Sequence, residues 1–252
     1  ETGYVGMPTA IRAVWGKGHP VIGFLGEYDA LPGLSQKVST EKEPVTPGAA
    51  GQGCGHNLLG VACLGAALGM KAELEATGKE GTVVFYGCPA EEVLTGKAFM
   101  ARGGAFTELD AAFSWHGSTN NHVTLGTMTG LNSAIFHFNG ITAHAGGDPH
   151  NGRSALDAVE IMDIGVNYMR EHMIDAARVH GAITNTGGIA PNVIPAEAQI
   201  LYAIRAPKVT QVKKLYERMC DIAKGAALIT GTTVDIKQVA AYSNLINNDT
   251  LA

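Results

Sequence analysis

Charge is scarce in this 252-residue sequence. Only 16% of its residues are Asp, Glu, Lys or Arg, against about 25% in an average globular chain. Apolar residues make up 46%, and 33 positions are glycine. Disorder needs charge and a shortage of apolar side chains, so this composition argues for a compact fold with many tight turns. Basic excess is lacking too. A net charge of −5 leaves no cationic stripe to displace counterions, which argues against a nucleic-acid partner.

Long hydrophobic runs are also missing. The most apolar stretch, Leu58 to Met70, stops at Lys71 after thirteen residues, short of the roughly 20 that a bilayer demands. No membrane partner is therefore expected. The four cysteines, Cys54, Cys63, Cys88 and Cys220, form neither a CxxC pair nor a dense framework. They read as reduced thiols in a reducing compartment, hence a cytoplasmic protein. The chain begins Glu-Thr-Gly-Tyr, with neither an initiator Met nor a signal peptide, and its ends read as cut.

What is present alternates strand and helix. Val21 to Leu25 is a short apolar run, a buried strand. Leu58 to Ala76 is helical by length and content, with Gly78 suited to its C-terminal cap. Thr82 to Tyr86 is β-branched and aromatic between two glycines, a second strand. A short helix over Ala98 to Arg102 and a strand over Ala111 to Trp115 follow. This order predicts an α/β fold with a mostly parallel sheet. Ligands gather beyond the carboxyl ends of such strands, where Asp29, Glu91, Glu92 and His116 lie.

The second half has another rhythm. Ser133 to Asn139 is a strand. Ser154 opens a helix, with Asp157 completing a variant capping box and Leu156, Val159, Met162, Val166 and Met169 as its apolar face. Ala182 to Ile189 and Ala198 to Ile204 are strands. Val212, Leu215, Met219, Ile222 and Ala226 mark a second helix, and Thr232 to Val239 a last strand. The order β-α-β-β-α-β is a ferredoxin-like unit. The organisation predicted is a first domain over 1–127, a satellite domain over 128–240 and the start of a return into the first domain over 241–252.

Five motifs carry chemistry: Gly26-Glu27-Tyr28-Asp29-Ala30-Leu31-Pro32, Gly53-Cys54-Gly55-His56-Asn57, Pro89-Ala90-Glu91-Glu92, Trp115-His116 and Thr142-Ala143-His144-Ala145-Gly146. Singly, each has a bland explanation: a buried thiol, a loop imidazole, a solvated acidic pair, a surface turn. The glycine-rich stretch 51–55 lacks the lysine of a P-loop and the spacing of a dinucleotide fingerprint. Together they read differently. Thiolate, imidazole and carboxylate are the donors of a zinc or manganese site. Two adjacent glutamates at a turn can divide the work of metal-assisted hydrolysis, one binding the ion and the other taking the proton of its water.

These motifs, with Gly-Arg-Ser-Ala-Leu-Asp-Ala-Val (152–159) and Gly-Gly-Ile-Ala-Pro-Asn-Val-Ile-Pro (187–195), make the chain resemble, over nearly its whole length, a family of dinuclear-metal amidohydrolases and peptidases. That family includes carboxypeptidase G, aminoacylase and the indole-acetyl-amino-acid hydrolases. The resemblance implies a truncated metallohydrolase catalytic domain plus a satellite domain. It implies two divalent ions, Zn2+ or Mn2+, held by Cys54, His56, Glu92 and His116. It makes Glu91 the general base, Asp29 the residue that positions a ligand, and His144 a donor to the tetrahedral oxyanion in a partner subunit's site. Asn192 and Arg205 match polar residues near the substrate's carboxylate.

The substrate implied is an N-acyl or N-aroyl amino acid, such as an N-aroyl glutamate, cleaved at its amide bond through a metal-bound water. The assembly implied is a homodimer through the satellite domain, or a heteromer with a related subunit. Two departures stand out. Asn57 follows the Cys-Gly-His motif where many relatives have aspartate. No histidine follows residue 180, so the family's distal histidine ligand is expected to be missing. A dipeptidase with another pocket, a non-catalytic partner subunit and an inactive truncated fragment are the competing readings.

Overall fold

The computed structural model describes residues 1–93, 96–123 and 125–251. They divide into two compact units, Glu1–His122 and Val123–Ala252.

The first unit is built on a four-stranded sheet in the order β1-β3-β2-β4, comprising β1 (Ile11–Lys17), β2 (Val21–Glu27), β3 (Gly81–Cys88) and β4 (Ala111–Phe113). Strand β2 runs parallel to both β3 and β4, as expected. Strand β1, which the sequence does not announce, pairs antiparallel with β3 along the edge. It is half-exposed along its length, so its residues show no sustained apolar run. Strand β4 is shorter than the expected 111–115 and stops three residues before His116.

Helix α1 (His56–Thr77) connects β2 to β3. It starts two residues before Leu58, on a left-handed Gly55 that supplies no side-chain cap. It closes on left-handed Gly78, as predicted. Leu59, Cys63, Ala67 and Leu74 are buried, with Ala67 and Leu74 packed in a cluster with Val83. The opposite face exposes Leu58, Val61, Leu64 and Leu68. By length and composition alone α1 is long and apolar enough to cross a membrane, and its span agrees with the helix expected over 58–76. The helix continues through Lys71, Glu73 and Glu75.

Near its start α1 approaches β2 through paired glycines. A Cβ on Gly60 would sit 2.8 Å from the Glu27 carbonyl oxygen, and one on Gly26 would sit 3.3 Å from the Gly60 Cα. Helix α2 (Gly96–Arg102) follows β3.

The second unit is the expected β-α-β-β-α-β sandwich. It contains β5 (Gly130–Asn139), α3 (Ala155–Met169), β6 (Arg178–Asn185), β7 (Glu197–Ala206), α4 (Val209–Thr230) and β8 (Thr233–Tyr242). Its antiparallel sheet is ordered β6-β7-β5-β8. Phe136, Phe138, Val159, Met162, Tyr202, Ile204 and Met219 share one core beneath both helices. The Ser154 hydroxyl accepts the Asp157 N–H at 3.1 Å, the cap read from sequence.

The strand expected over 182–189 instead spans Arg178–Asn185. It stops before left-handed Gly187, where a Cβ would lie 2.1 Å from the Glu197 carbonyl oxygen. The last strand runs on to Tyr242, and residues 241–252 group with the second unit as far as they are described.

Candidate metal centre

The first unit gathers its polar residues where sequence placed them, beyond the carboxyl ends of β2, β3 and β4 and at the start of α1. His56 opens α1 and is 1% exposed. Its Nδ1 lies 3.1 Å from Asp29 Oδ1. The carboxylate accepts the Nδ1 proton, which leaves Nε2 as the lone-pair nitrogen. The second Asp29 oxygen accepts the Glu92 backbone N–H at 2.9 Å. One carboxylate thereby braces an imidazole and the turn that carries the paired glutamates.

That turn is made possible by Ala90, whose φ of 61° is left-handed. The reversal brings both glutamates to His56 rather than splaying them across an extended strand. Glu92 Oε1 lies 3.8 Å from His56 Nε2, and Glu91 Oε2 lies 3.9 Å away. Their environments differ, with the Glu92 side chain 14% exposed and that of Glu91 36%.

Cys54 and His116 form the other side. Cys54 Sγ is 3.3 Å from His116 Nε2. His116 Nδ1 donates to the Gly117 carbonyl at 3.0 Å, so its lone pair also points inward. The two histidine rings meet edge to face, 6.2 Å between centroids. The cluster is electrostatically tense. Burial, then the Glu92 charge, pushes the Cys54 thiol up from its ordinary pKa. Burial, then the Glu27 charge, raises the Glu91 carboxyl.

The donor set fits a divalent cation. Two triads, Cys54/His56/His116 and Glu27/His56/Glu91, each offer ligand atoms within 4.8 Å of one another. His56 Nε2 and Glu92 Oε1 are buried, have no hydrogen-bond partner among the described residues, and face the same cluster. Thiolate, imidazole and carboxylate oxygens together are a borderline-soft set of the kind zinc and its neighbours accept.

Two members carry no role in the sequence reading. Glu27 is 8% exposed, its Oε2 3.3 Å from His56 Nε2, and Lys97 of α2 donates to its Oε1. Glu27 was legible in one respect: it stands two residues before Asp29 at the end of a buried strand, hence on the same side. Lys97 gives no such signal, being 70 positions away from its partner.

The remaining three candidates lie in the second unit. His144 is exposed in a turn where Gly146 and Gly147 donate their N–H groups to its Nδ1 at 3.2 and 2.9 Å. Its proton therefore sits on Nε2. Asn192 adjoins it, its carbonyl accepting the Ala145 N–H at 2.9 Å. Arg205 does not join them. It lies eight residues beyond the start of β7, about 26 Å along the strand, and donates to the Tyr242 hydroxyl at 3.1 Å.

Comparison with known proteins agrees with both units. Residues 127–230 match the peptidase dimerisation domain. The chain is 52% identical over 250 residues to one of the subunits of p-aminobenzoyl-glutamate hydrolase from Escherichia coli, covering 97% of this chain and 51% of that protein. It is 36% identical to the Xaa-Arg dipeptidase of Mus musculus, covering 98% and 56%. Among solved structures, the Bacillus subtilis YXEP protein, a dinuclear metal binding peptidase from the M20 family, superposes with a TM-score of 0.67 at 20% identity, covering 97% and 64%. The chain thus spans about half the length of the curated relatives it matches. The dimerisation-domain match and these relatives assign the chain to the M20 family of hydrolases.

Proposed function

We propose that the whole protein is a metal-dependent amidohydrolase that cleaves the amide of an N-acyl or N-aroyl amino acid, with p-aminobenzoyl-glutamate as the favoured class. The observation that carries this reading is the buried, unpartnered Nε2 of His56, turned by Asp29 toward three carboxylates. The substrate class rests on the 52% identical hydrolase of Escherichia coli. The dipeptidase relative keeps an aminoacyl amide as the second reading.

Cys54, His56, Glu92 and His116 would hold the ions, two Zn2+ or Mn2+. Bound there, divalent ions acidify a water and polarise the scissile carbonyl. Glu91, the more open of the two glutamates, takes the water's proton and returns it to the leaving amine. Its raised affinity for protons suits that exchange. His144, with its proton fixed on Nε2, donates to the developing oxyanion.

Dimerisation through the satellite domain brings His144 to the partner's site. The sheet edges β6 and β8 offer unpaired backbone for such an interface. The partner is a second copy or a related subunit. The four free thiols suit a cytoplasmic setting.

The test uses two variants of the whole protein. Glu91→Gln is expected to lose about 10²-fold or more in turnover while keeping its metal. Mixed with His144→Ala, it is expected to recover a fraction of activity, because the mixed dimer holds one site with both groups intact. Unchanged turnover in Glu91→Gln excludes it as the base. No recovery in a confirmed mixed dimer excludes action across subunits.

A further inference from the structure

We propose that Glu27 is itself a ligand in the metal centre, coordinating through Oε2 while Lys97 holds Oε1. This deepens the metal reading of the site and rests on it. Glu27 is the nearest of three carboxylates to His56 Nε2, at 3.3 Å against 3.8 Å for Glu92 and 3.9 Å for Glu91. With Nδ1 turned to Asp29, Nε2 and Glu27 Oε2 face each other at ligand-to-ligand spacing, 3.3 Å apart. No hydrogen bond joins them, and Nε2 has no hydrogen-bond partner among the described residues. An imidazole nitrogen and a carboxylate oxygen at this spacing in a buried site can both reach one divalent cation. Glu27 also belongs to a triad with His56 and Glu91 whose ligand atoms lie within 4.8 Å of one another.

Lys97 explains how the chain tolerates the arrangement before an ion arrives. Its ammonium neutralises one of the three carboxylates from the side away from Nε2. It also fixes the carboxylate rotamer, as outer partners of metal ligands do. A buried pair of this kind has an alternative role, purely structural, in which Glu27 serves only to neutralise Lys97. The two roles separate when both charges are removed together.

The experiment titrates Zn2+ alone into the whole protein against a chromogenic chelator. It compares the parent with Glu27→Gln, Lys97→Met and the double variant, with circular dichroism confirming the fold of each. A ligating Glu27 predicts that Glu27→Gln weakens zinc binding about 10-fold or more, that Lys97→Met retains zinc, and that the double variant stays weak. A structural pair predicts that the double variant, freed of any unpaired charge, returns to parent affinity, and that result overturns the proposal. Should Glu27→Gln fail to fold, the double variant alone decides, because it buries no lone charge. Equal affinity in Glu27→Gln and the parent sinks this assignment while leaving the hydrolase reading intact. A parent that binds no zinc removes both.

Discussion

The two units handle apolar residues in different ways. The second gathers them into one continuous core beneath two amphipathic helices. The first divides its core into small clusters on the two sides of its sheet, and α1 keeps a second apolar face, Leu58, Val61, Leu64 and Leu68, in solvent. A helix apolar all round belongs in an interior. Only one face of α1 contacts the sheet here, and that face carries His56. The metal centre thus depends on a helix whose two sides do different things. The side toward β2 sets the chemistry, and the outer side sets how the first unit meets its surroundings.

The largest effect that could break this comparison is a core truncation in the second unit. Phe136 is fully buried, and Phe136→Ala is expected to cost about 3–5 kcal/mol. Urea unfolding followed by circular dichroism should lower the transition of the second unit, with zinc binding by the first unit unchanged at low urea. A matched fall in zinc affinity would mean that the two units share one cooperative core.

A middling effect concerns acid. Arg12 grips Glu108 in a fork, with Nη2 at 2.6 and 2.8 Å and Nε at 3.0 Å, and Tyr86 donates to the same carboxylate at 2.8 Å. The Arg12 hydrogen bonds, with Tyr86 after them, hold the Glu108 carboxyl below its ordinary range. A folded pKa below the unfolded one gives stability that is present above the unfolded value. That stability is lost as pH falls through the folded value. Glu108→Gln should flatten the acid limb of the first unit's thermal midpoint and leave the midpoint of the second unimpaired. An acid limb as steep as the parent's would remove Glu108 from that account.

The smallest effect lies on the outer face of α1. Leu68 is 56% exposed, and Leu68→Glu places a good helix former there, three residues before Lys71. Stability should change by no more than about 0.5 kcal/mol, while binding of an apolar dye should fall. A loss of several kcal/mol would show that this face is already covered.

Much of the second unit was legible because its signals are local. Alternating strands, helix spacing and the Ser154 cap each act over a few residues. Its largest boundary difference, at 182–189, lies where the Gly187 turn overrides a run that reads as extended. The first unit was harder. Strand β1 lies at an edge, where half-exposure erases periodicity, and α1 begins on a glycine that leaves no capping residue to read. At the site, Asp29, Cys54, His56, Glu91, Glu92 and His116 stood out through short motifs at strand ends. Glu27 stood in plain view without a role, because its significance depends on Lys97 and His56, which only the fold brings to it. Asn192 and Arg205 were read as a pair, and within one unit the extended β7 sets Arg205 apart, against the Tyr242 hydroxyl.

The contact of Gly60 with β2 has a reach beyond local packing. Gly60 lies four residues after His56, on the same face of α1, and its missing methyl lets the helix settle against the Glu27 carbonyl. Gly26 and Gly60, without functional groups of their own, therefore act as the gauge block of the centre. They set the span between a helix-borne nitrogen and a strand-borne carboxylate. Selection for a particular ion's radius can work on such spacers, by adding or removing a single carbon, while every ligand stays the same.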